Sequence, residues 1–354
     1  MSSVTKLFQP LRLRGLEIKN RIFVSPMCQY SARDGIAGAW HLVHLGDRAV
    51  GGAGVVMVEA TSVASHGRIS PSDTGIWNDE QAEAFKQITS FLKASGAVAG
   101  IQLAHAGRKA GTAEPWNGGK PINGKWDVVA PSAIAFDHGY PVPRSMSDSD
   151  LEDMVRSFQS AAERALAAGF QIIEIHMAHG YLLHEFLSPL TNQRKDAYGG
   201  SLDNRMRFPL RVARSVREVW PSELPVFVRI SGVDWVEGGW DLGQSIELSK
   251  QLKILGVDLI DVSSGGLVPN AKIPVAPGFQ VPLAQAIREQ VDIPTAAVGL
   301  ITSGQQAEDI LRCGHADAVM IGREFLRDPY FPLKAAKELG ETIAWPNQYV
   351  RARS

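Results

Sequence analysis

Eight short apolar runs, each followed by a stretch of helical periodicity, constrain this chain more than any other feature. The runs occupy residues 21–26 (RIFVSP), 54–60 (GVVMVEA), 97–103 (AVAGIQL), 171–176 (QIIEIH), 225–231 (PVFVRIS), 257–262 (VDLIDV), 294–299 (PTAAVG) and 317–322 (DAVMIG). Most are near-continuously apolar rather than alternating. That is the pattern of parallel strands covered on both faces. Helices are predicted over residues 40–50, 79–94, 147–168, 244–255, 282–290 and 303–312. Further helical segments lie between 183 and 219, and helical turns run through 339. Ser147-Asp148 is a good N-cap for the third helix. Strand then helix, eight times, predicts a single (β/α)8 barrel over residues 1–354, a length such barrels carry as one unit.

Two additions to the barrel are legible. Residues 7–20 alternate apolar and polar around Arg14-Gly15, which predicts a β-hairpin lid at the bottom of the barrel. Residues 104–147, after the third strand, form a long excursion rich in Gly, Pro and Trp. A loop of that length in a compact domain is usually functional, such as a cover over a substrate.

The formal net charge of −1 gives no basic footprint, which argues against nucleic acid as a partner. No uncharged apolar run reaches the length of a membrane span. The start, MSSVTKLFQP, lacks the apolar core of a secretory signal. Cys28 and Cys313 are the only cysteines, too few for a disulfide framework, so a reducing cytoplasm is expected. Cys313, at a helix end, is assigned to packing.

In a barrel the strand exits converge on one face, where active sites sit. The exits here are Pro26-Met27-Cys28, Ala60, Gln102, His176, Arg229, Ser263-Ser264, Gly299 and Gly322-Arg323. The fourth exit delivers His176, His179 and Tyr181 within six residues. The two histidines are either structural, half of a metal site, or donors to a ligand. A nearby Arg229 and the lack of an H-E-x-x-H spacing argue against a metal. Arg229 itself needs an acceptor. That acceptor is either an internal carboxylate, such as Glu174 or Glu59, or a bound ring system whose other edge meets Gln102. Gly299 and Gly322-Arg323, after strands seven and eight, occupy the usual phosphate position of the fold. Taken alone, Gly-Arg is equally a tight turn with a surface arginine.

The motifs Ser25-Pro26-Met27-Cys28-Gln29-Tyr30, Val58-Glu59-Ala60-Thr61, Gln102-Leu103-Ala104-His105-Ala106-Gly107-Arg108-Lys109, His176-x-x-His179-Gly180-Tyr181, Asn192-x-Arg194-x-Asp196-x-Tyr198-Gly199-Gly200-Ser201 and Gly322-Arg323 span nearly the whole chain. Together they resemble the Old Yellow Enzyme family of FMN-dependent ene-reductases, and most closely its bacterial thermophilic-like branch, which includes xenobiotic reductases. The resemblance implies non-covalent FMN, NADPH or NADH as hydride donor, and reduction of activated C=C bonds in enone-type substrates. It implies flavin contacts from Ser25, Pro26, Met27, Cys28, Ala60, Gln102 and Arg229, and phosphate contacts from Gly299, Gly322 and Arg323. Ser263-Ser264-Gly265 resembles a segment flanking the phosphate. His176 and His179 match the pair that binds the substrate carbonyl oxygen, and Tyr181 matches the proton donor. Tyr30 and Lys109 match residues lining the substrate space. The tail, residues 341–354, resembles one whose arginine, here Arg351, reaches a neighbouring subunit's site in a homodimer or homotetramer. The chain departs from the pattern at Val298, where some relatives carry tryptophan, and at its end, which lacks an aromatic residue. Other readings are a different FMN barrel reductase, such as a dihydroorotate dehydrogenase or a tRNA dihydrouridine synthase, or a non-catalytic flavin-binding barrel.

Overall fold

The structure is a computed structural model that describes residues 5–122, 124 and 126–353. Residues 1–4, on which part of the leader reading falls, lie outside the described residues. The chain opens with the expected hairpin, β1 (Leu11–Leu13) and β2 (Leu16–Ile18), paired antiparallel. Then follow β3 (Ile22–Val24), α1 (Ala39–Val50), β4 (Val55–Ser62), α2 (Asp79–Ala94) and β5 (Val98–Ala104). The excursion carries two short strands, β6 (Val129–Ala130) and β7 (Arg144–Ser145). After it come α3 (Asp148–Ala167), β8 (Ile172–Met177), α4 (Leu182–Leu187), α5 (Leu202–Val219), β9 (Val226–Ser231), α6 (Leu242–Ile254) and β10 (Leu259–Ser263). The chain ends with α7 (Val281–Val291), β11 (Thr295–Ala297), α8 (Gly304–Arg312), β12 (Ala318–Ile321), α9 (Arg323–Arg327) and α10 (Phe331–Glu338).

Strands β3, β4, β5, β8, β9, β10, β11 and β12 close a barrel in that order, every pair parallel. Strand periodicity splits the core in two. Ile101, Ile173, Ile175, Val228, Ile230, Ile260 and Val262 point outward and join the helices in one cluster. Phe23, Met57, Ile172, Phe227, Leu259 and Met320 point inward and fill the barrel. The hairpin residues Leu11, Leu13 and Ile18 complete this inner cluster, so the hairpin plugs the bottom of the barrel as expected. Truncating the fully buried Ile18 to Ala would cost roughly 2–5 kcal/mol.

Helix starts follow their capping residues. Ser147 Oγ accepts from Asp150 N at 3.3 Å, as its sequence context predicts. Asn78 and Ser303 cap α2 and α8 in the same way. No helix among the described residues is long and apolar enough to cross a membrane.

Two features differ from expectation. β4 carries a bulge between Val58 and Ala60, so that Ala60 rather than Glu59 faces Gln102 across the ladder. Cys313, expected to pack, is the exposed C-cap residue of α8. It ends the helix instead of contributing to its buried stripe.

Candidate active site

The carboxyl ends of the barrel strands bring nearly all the expected residues to one face. Gln102 (β5), Glu174 and His176 (β8), Arg229 (β9), and Asp261 and Ser263 (β10) are all buried. Parallel register sets Gln102 beside Glu174, His176 beside Arg229, and Arg229 beside Asp261. Arg229 Nε therefore lies 2.8 Å from Asp261 Oδ2, and its Nη2 donates to Ser25 Oγ at 3.1 Å. This corrects the sequence reading, in which the internal carboxylate was Glu174 or Glu59. Glu174 instead accepts from Gln102 Nε2 at 2.7 Å. The β4 bulge turns Glu59 toward α1, where its Oε1 lies 3.0 Å from His41 Nε2.

The β8 exit is tightly fixed. The His176 ring stands edge-on to His179 (centroids 5.1 Å) and to Tyr181 (5.0 Å). His179 has φ 59°, a left-handed conformation that is uncommon outside glycine. It is pinned there, because its N donates to Ser231 Oγ at 2.9 Å and its O accepts from Lys109 Nζ at 2.8 Å. Lys109 Nζ also donates to Gly266 O at 3.0 Å and sits 5.0 Å from the Tyr181 ring centroid. Gly180 and Gly266 permit this crossing of two loops. A Cβ on Gly180 would lie 2.4 Å from Gly266 O, and one on Gly266 2.8 Å from His179 Cα.

Electrostatics keep the site's acid neutral and its imidazoles uncharged. Burial, then Arg229, lowers the pKa of both His176 and His179. His176 Nδ1 accepts from Ala178 N at 3.2 Å, which assigns its proton to Nε2. His179 Nε2 lies 2.7 Å from Ser263 Oγ. Gln280 Oε1 already accepts from Ser264 Oγ at 2.7 Å and is 3.3 Å from Ser263. Ser263 Oγ can donate either to Gln280 Oε1 or to His179 Nε2, so the direction of the 2.7 Å contact follows the tautomer of His179. Burial raises Tyr181 well above a normal phenol, with Cys28 and Tyr30 adding to it. The Cys28 thiol, half-buried, is likewise raised by burial and shares a hydrogen bond with Tyr30. Burial holds Lys109 down at about 8.

A second cradle lies at the exits of β11 and β12. Gly299 adopts φ +126°, and a Cβ there would come within 3.0 Å of Gln280 Nε2 and 3.2 Å of the Phe279 ring. Gly278 N donates to Gly299 O at 2.8 Å and Gln280 Nε2 to Val298 O at 3.0 Å, which ties this loop to the one after β10. Val298 itself packs against the inner cluster. Arg323, exposed at the start of α9, has no ion-pair or hydrogen-bond partner among the described residues. A backbone cradle beside an unpaired guanidinium suits a phosphate. Donors from Gln102 and Arg229 suit the polar edge of a flavin, so the residues present fit FMN.

Three participants were not singled out from sequence. Ser263, read as a strand exit and as part of a phosphate-flanking segment, orients His179. Trp116 meets the Tyr30 ring edge-on at 5.8 Å, and Phe136 stacks over Lys109 Nζ at 4.7 Å. Both aromatics come from the excursion, which thus reaches the site; aromatic residues within a Gly/Pro-rich insertion were the available signal. Arg351 is exposed in the final 3-10 turn, Asn347–Ala352. Within this turn Tyr349 packs on Tyr330 of the same chain, with ring centroids 6.0 Å apart.

The barrel, with a backbone cradle and a neutral His/His/Tyr constellation at one face, fits a flavin-dependent reductase. The chain matches the NADH:flavin oxidoreductase / NADH oxidase family over residues 6–342 and belongs to it, the family of the Old Yellow Enzyme resemblance; it is an FMN-dependent oxidoreductase of nicotinamide cofactors. It is 52% identical over 349 residues to an NADPH dehydrogenase of Geobacillus sp. (strain WCH70), covering 98% of each chain. It is 52% identical over 350 residues to an NADPH dehydrogenase of Bacillus pumilus (strain SAFR-032), covering 98% of this chain and 99% of the other. Among solved structures it resembles morphinone reductase in complex with tetrahydroNAD, with 29% identity and TM-score 0.78 over 96% of this chain and 92% of that one. It shares the fold of a 2-naphthoyl-CoA reductase (TM-score 0.85, 24% identity) across 95% of this chain, and spans 52% of that larger protein.

Proposed function

We propose that this chain is an NAD(P)H-dependent ene-reductase that reduces the activated C=C bond of α,β-unsaturated carbonyl compounds. The observation that carries this reading is the neutral constellation His176, His179 and Tyr181, fixed edge to edge at the β8 exit. Bound FMN supplies the hydride, taken from NADPH or NADH and given to the β-carbon. Ser25, Pro26, Met27, Cys28, Ala60, Gln102 and Arg229 hold the ring; Gly299, Gly322 and Arg323 hold the phosphate. His176 Nε2–H and, in the tautomer that accepts from Ser263 Oγ, His179 Nδ1–H donate to the substrate carbonyl oxygen, where negative charge develops. Such preorganised donors are each worth on the order of 3 kcal/mol. Tyr181, a neutral phenol because burial raises it, protonates the α-carbon. Lys109, against the Tyr181 ring, stabilises the phenolate left behind. Tyr30, edge-on to Trp116, walls the substrate space.

The NADPH dehydrogenase relatives and the tetrahydroNAD complex of morphinone reductase support a nicotinamide donor. The decisive measurement is anaerobic: the yellow protein should bleach with NADPH and recolour with cyclohexenone. Tyr181→Phe should bleach like wild type yet recolour at a rate lower by about 10²–10⁴. Equal recolouring rates would end the assignment of Tyr181. Bleaching in neither protein would favour a non-catalytic flavin barrel.

The tail belongs to an assembly in this reading. Tyr349 and Val350 are 41% and 49% exposed, and Trp40 and Val43 on α1 are each 59% exposed. Apolar side chains of this size left in water favour a partner surface. A two-fold contact would cover them and carry Arg351 to the partner's site. Truncation before Trp345 should lower the mass seen by light scattering and raise the enone KM. Unchanged mass and KM would remove the tail from both roles.

A further inference from the structure

Two carboxylates lie in the barrel directly behind Gln102 and Arg229, and the chemistry above uses neither. Glu174 and Asp261 are both 0% exposed. Gln102 Nε2 donates to Glu174 Oε1 at 2.7 Å, and Arg229 Nε lies 2.8 Å from Asp261 Oδ2. The remaining oxygens, Glu174 Oε2 and Asp261 Oδ1, meet no N–H or O–H donor of the protein. Two buried anions facing one guanidinium would leave an uncompensated charge inside a closed barrel, which is costly. With one guanidinium between two buried carboxyl groups, the pair is held to a single negative charge, which leaves one proton on it.

The proton belongs to Glu174. The charged groups acting on Glu174 are Arg229 from β9 and Asp261 from β10, with Gln102 from β5 as its polar partner. Those acting on Asp261 are Arg229 and Glu174. Asp261 holds the ion pair, so burial followed by the Asp261 charge raises Glu174 further from the carboxylate range.

We propose that Glu174 is a redox-linked neutral acid that acts on the flavin through Gln102 as a positioning residue, so that reducing the flavin binds a second proton in the barrel under alkaline conditions. This rests on the reading that Gln102 and Arg229 face the ring. Hydride addition at N5 leaves one more negative charge on the ring and needs no proton from the protein. That charge, over Gln102 and Arg229, strengthens proton binding by Glu174. Below its pKa with oxidised flavin, Glu174 is protonated in both redox states and only the N5 hydrogen accompanies two electrons. Between that pKa and the higher one with reduced flavin, the Glu174 carboxylate also takes one H⁺ from solvent. Two electrons are then accompanied by two protons.

The test is spectroelectrochemical titration of the holoenzyme from pH ~6 to ~10, a range that brackets a raised carboxyl. The slope of midpoint potential against pH should double in an alkaline window. Glu174→Gln, a neutral isostere that still accepts from Gln102, should keep a single slope. Its potential should match wild type at low pH and lie above it at high pH. A constant slope in wild type overturns the proposal, and so does a Glu174→Gln profile that superimposes on wild type. Should that variant not retain flavin, the wild-type slope still decides, together with the redox-difference infrared spectrum. A protonated-carboxyl band that grows on reduction at high pH supports the proposal; its absence overturns it. Arg229→Lys separates the two readings. If it shifts the potential while Glu174→Gln leaves the slope unaltered, the Glu174 inference alone falls. If neither variant moves the potential, the placement of the flavin over this layer falls as well.

Discussion

His179 Nε2 and Ser263 Oγ stand 2.7 Å apart, joining the exit of β8 to the end of β10. The contact orients a ring whose backbone is already held in a left-handed conformation. Ser263→Ala removes the hydroxyl and lets the ring turn. One neutral hydrogen bond is worth about 1 kcal/mol, so kcat/KM for an enone should fall roughly fivefold to tenfold. Ser263→Thr keeps the hydroxyl and should recover most of the loss. Steady-state kinetics on both variants check this, and equal values for Ala and wild type would reduce Ser263 to packing.

The barrel was legible because strands buried on both faces need apolar residues at nearly every position. Strand and helix order followed from that pattern, and the hairpin plug followed from the alternation around Arg14-Gly15. What escaped depends on backbone detail without a compositional mark. Val58-Glu59-Ala60 reads as an unbroken strand, yet the bulge there diverts Glu59 to His41 and gives Ala60 its inward place. For Arg229 the sequence left open a carboxylate such as Glu174 or Glu59 or a bound ring, whereas lateral register made Asp261 its protein neighbour. Such register is fixed by closure of the whole barrel. The parallel pairing of β6 with β7 is set by tertiary contacts, since each strand is two residues long.

The proposed phosphate site at Gly299 and Arg323 predicts a separable effect on cofactor retention. Gly299→Ala places a side chain at φ +126° and a Cβ within 3.0 Å of Gln280 Nε2. Strain of this kind costs about 1–3 kcal/mol unless the loop moves, and movement would spoil the backbone donors. FMN should bind at least roughly tenfold more weakly, about 1.4 kcal/mol. Arg323→Ala should weaken FMN retention in the same direction by loss of a charge-assisted contact. Fluorescence titration of the apoprotein with FMN measures both, and wild-type affinity in the two variants would move the phosphate elsewhere.

Asp73 predicts a pH dependence of stability. It is 1% exposed, accepts from Ile69 N at 2.7 Å and from Ser70 Oγ at 2.8 Å, and lines a small cavity with Ala60 and Tyr181. Burial outweighs those hydrogen bonds and raises its carboxyl to about 7. A raised carboxyl binds its proton more tightly in the folded state. Its contribution is fully present below the unfolded value of about 3.9 and is lost as pH rises toward the folded one. As pH rises from about 4 to about 7 this group therefore lowers the free energy of unfolding steadily. Asp73→Asn carries no such proton. Its Tm relative to wild type should rise across that window and level off above about pH 7. Thermal melts of the two proteins at matched ionic strength read the difference directly. A Tm difference that stays flat with pH would mean that Asp73 is ionised throughout, its two donors outweighing burial.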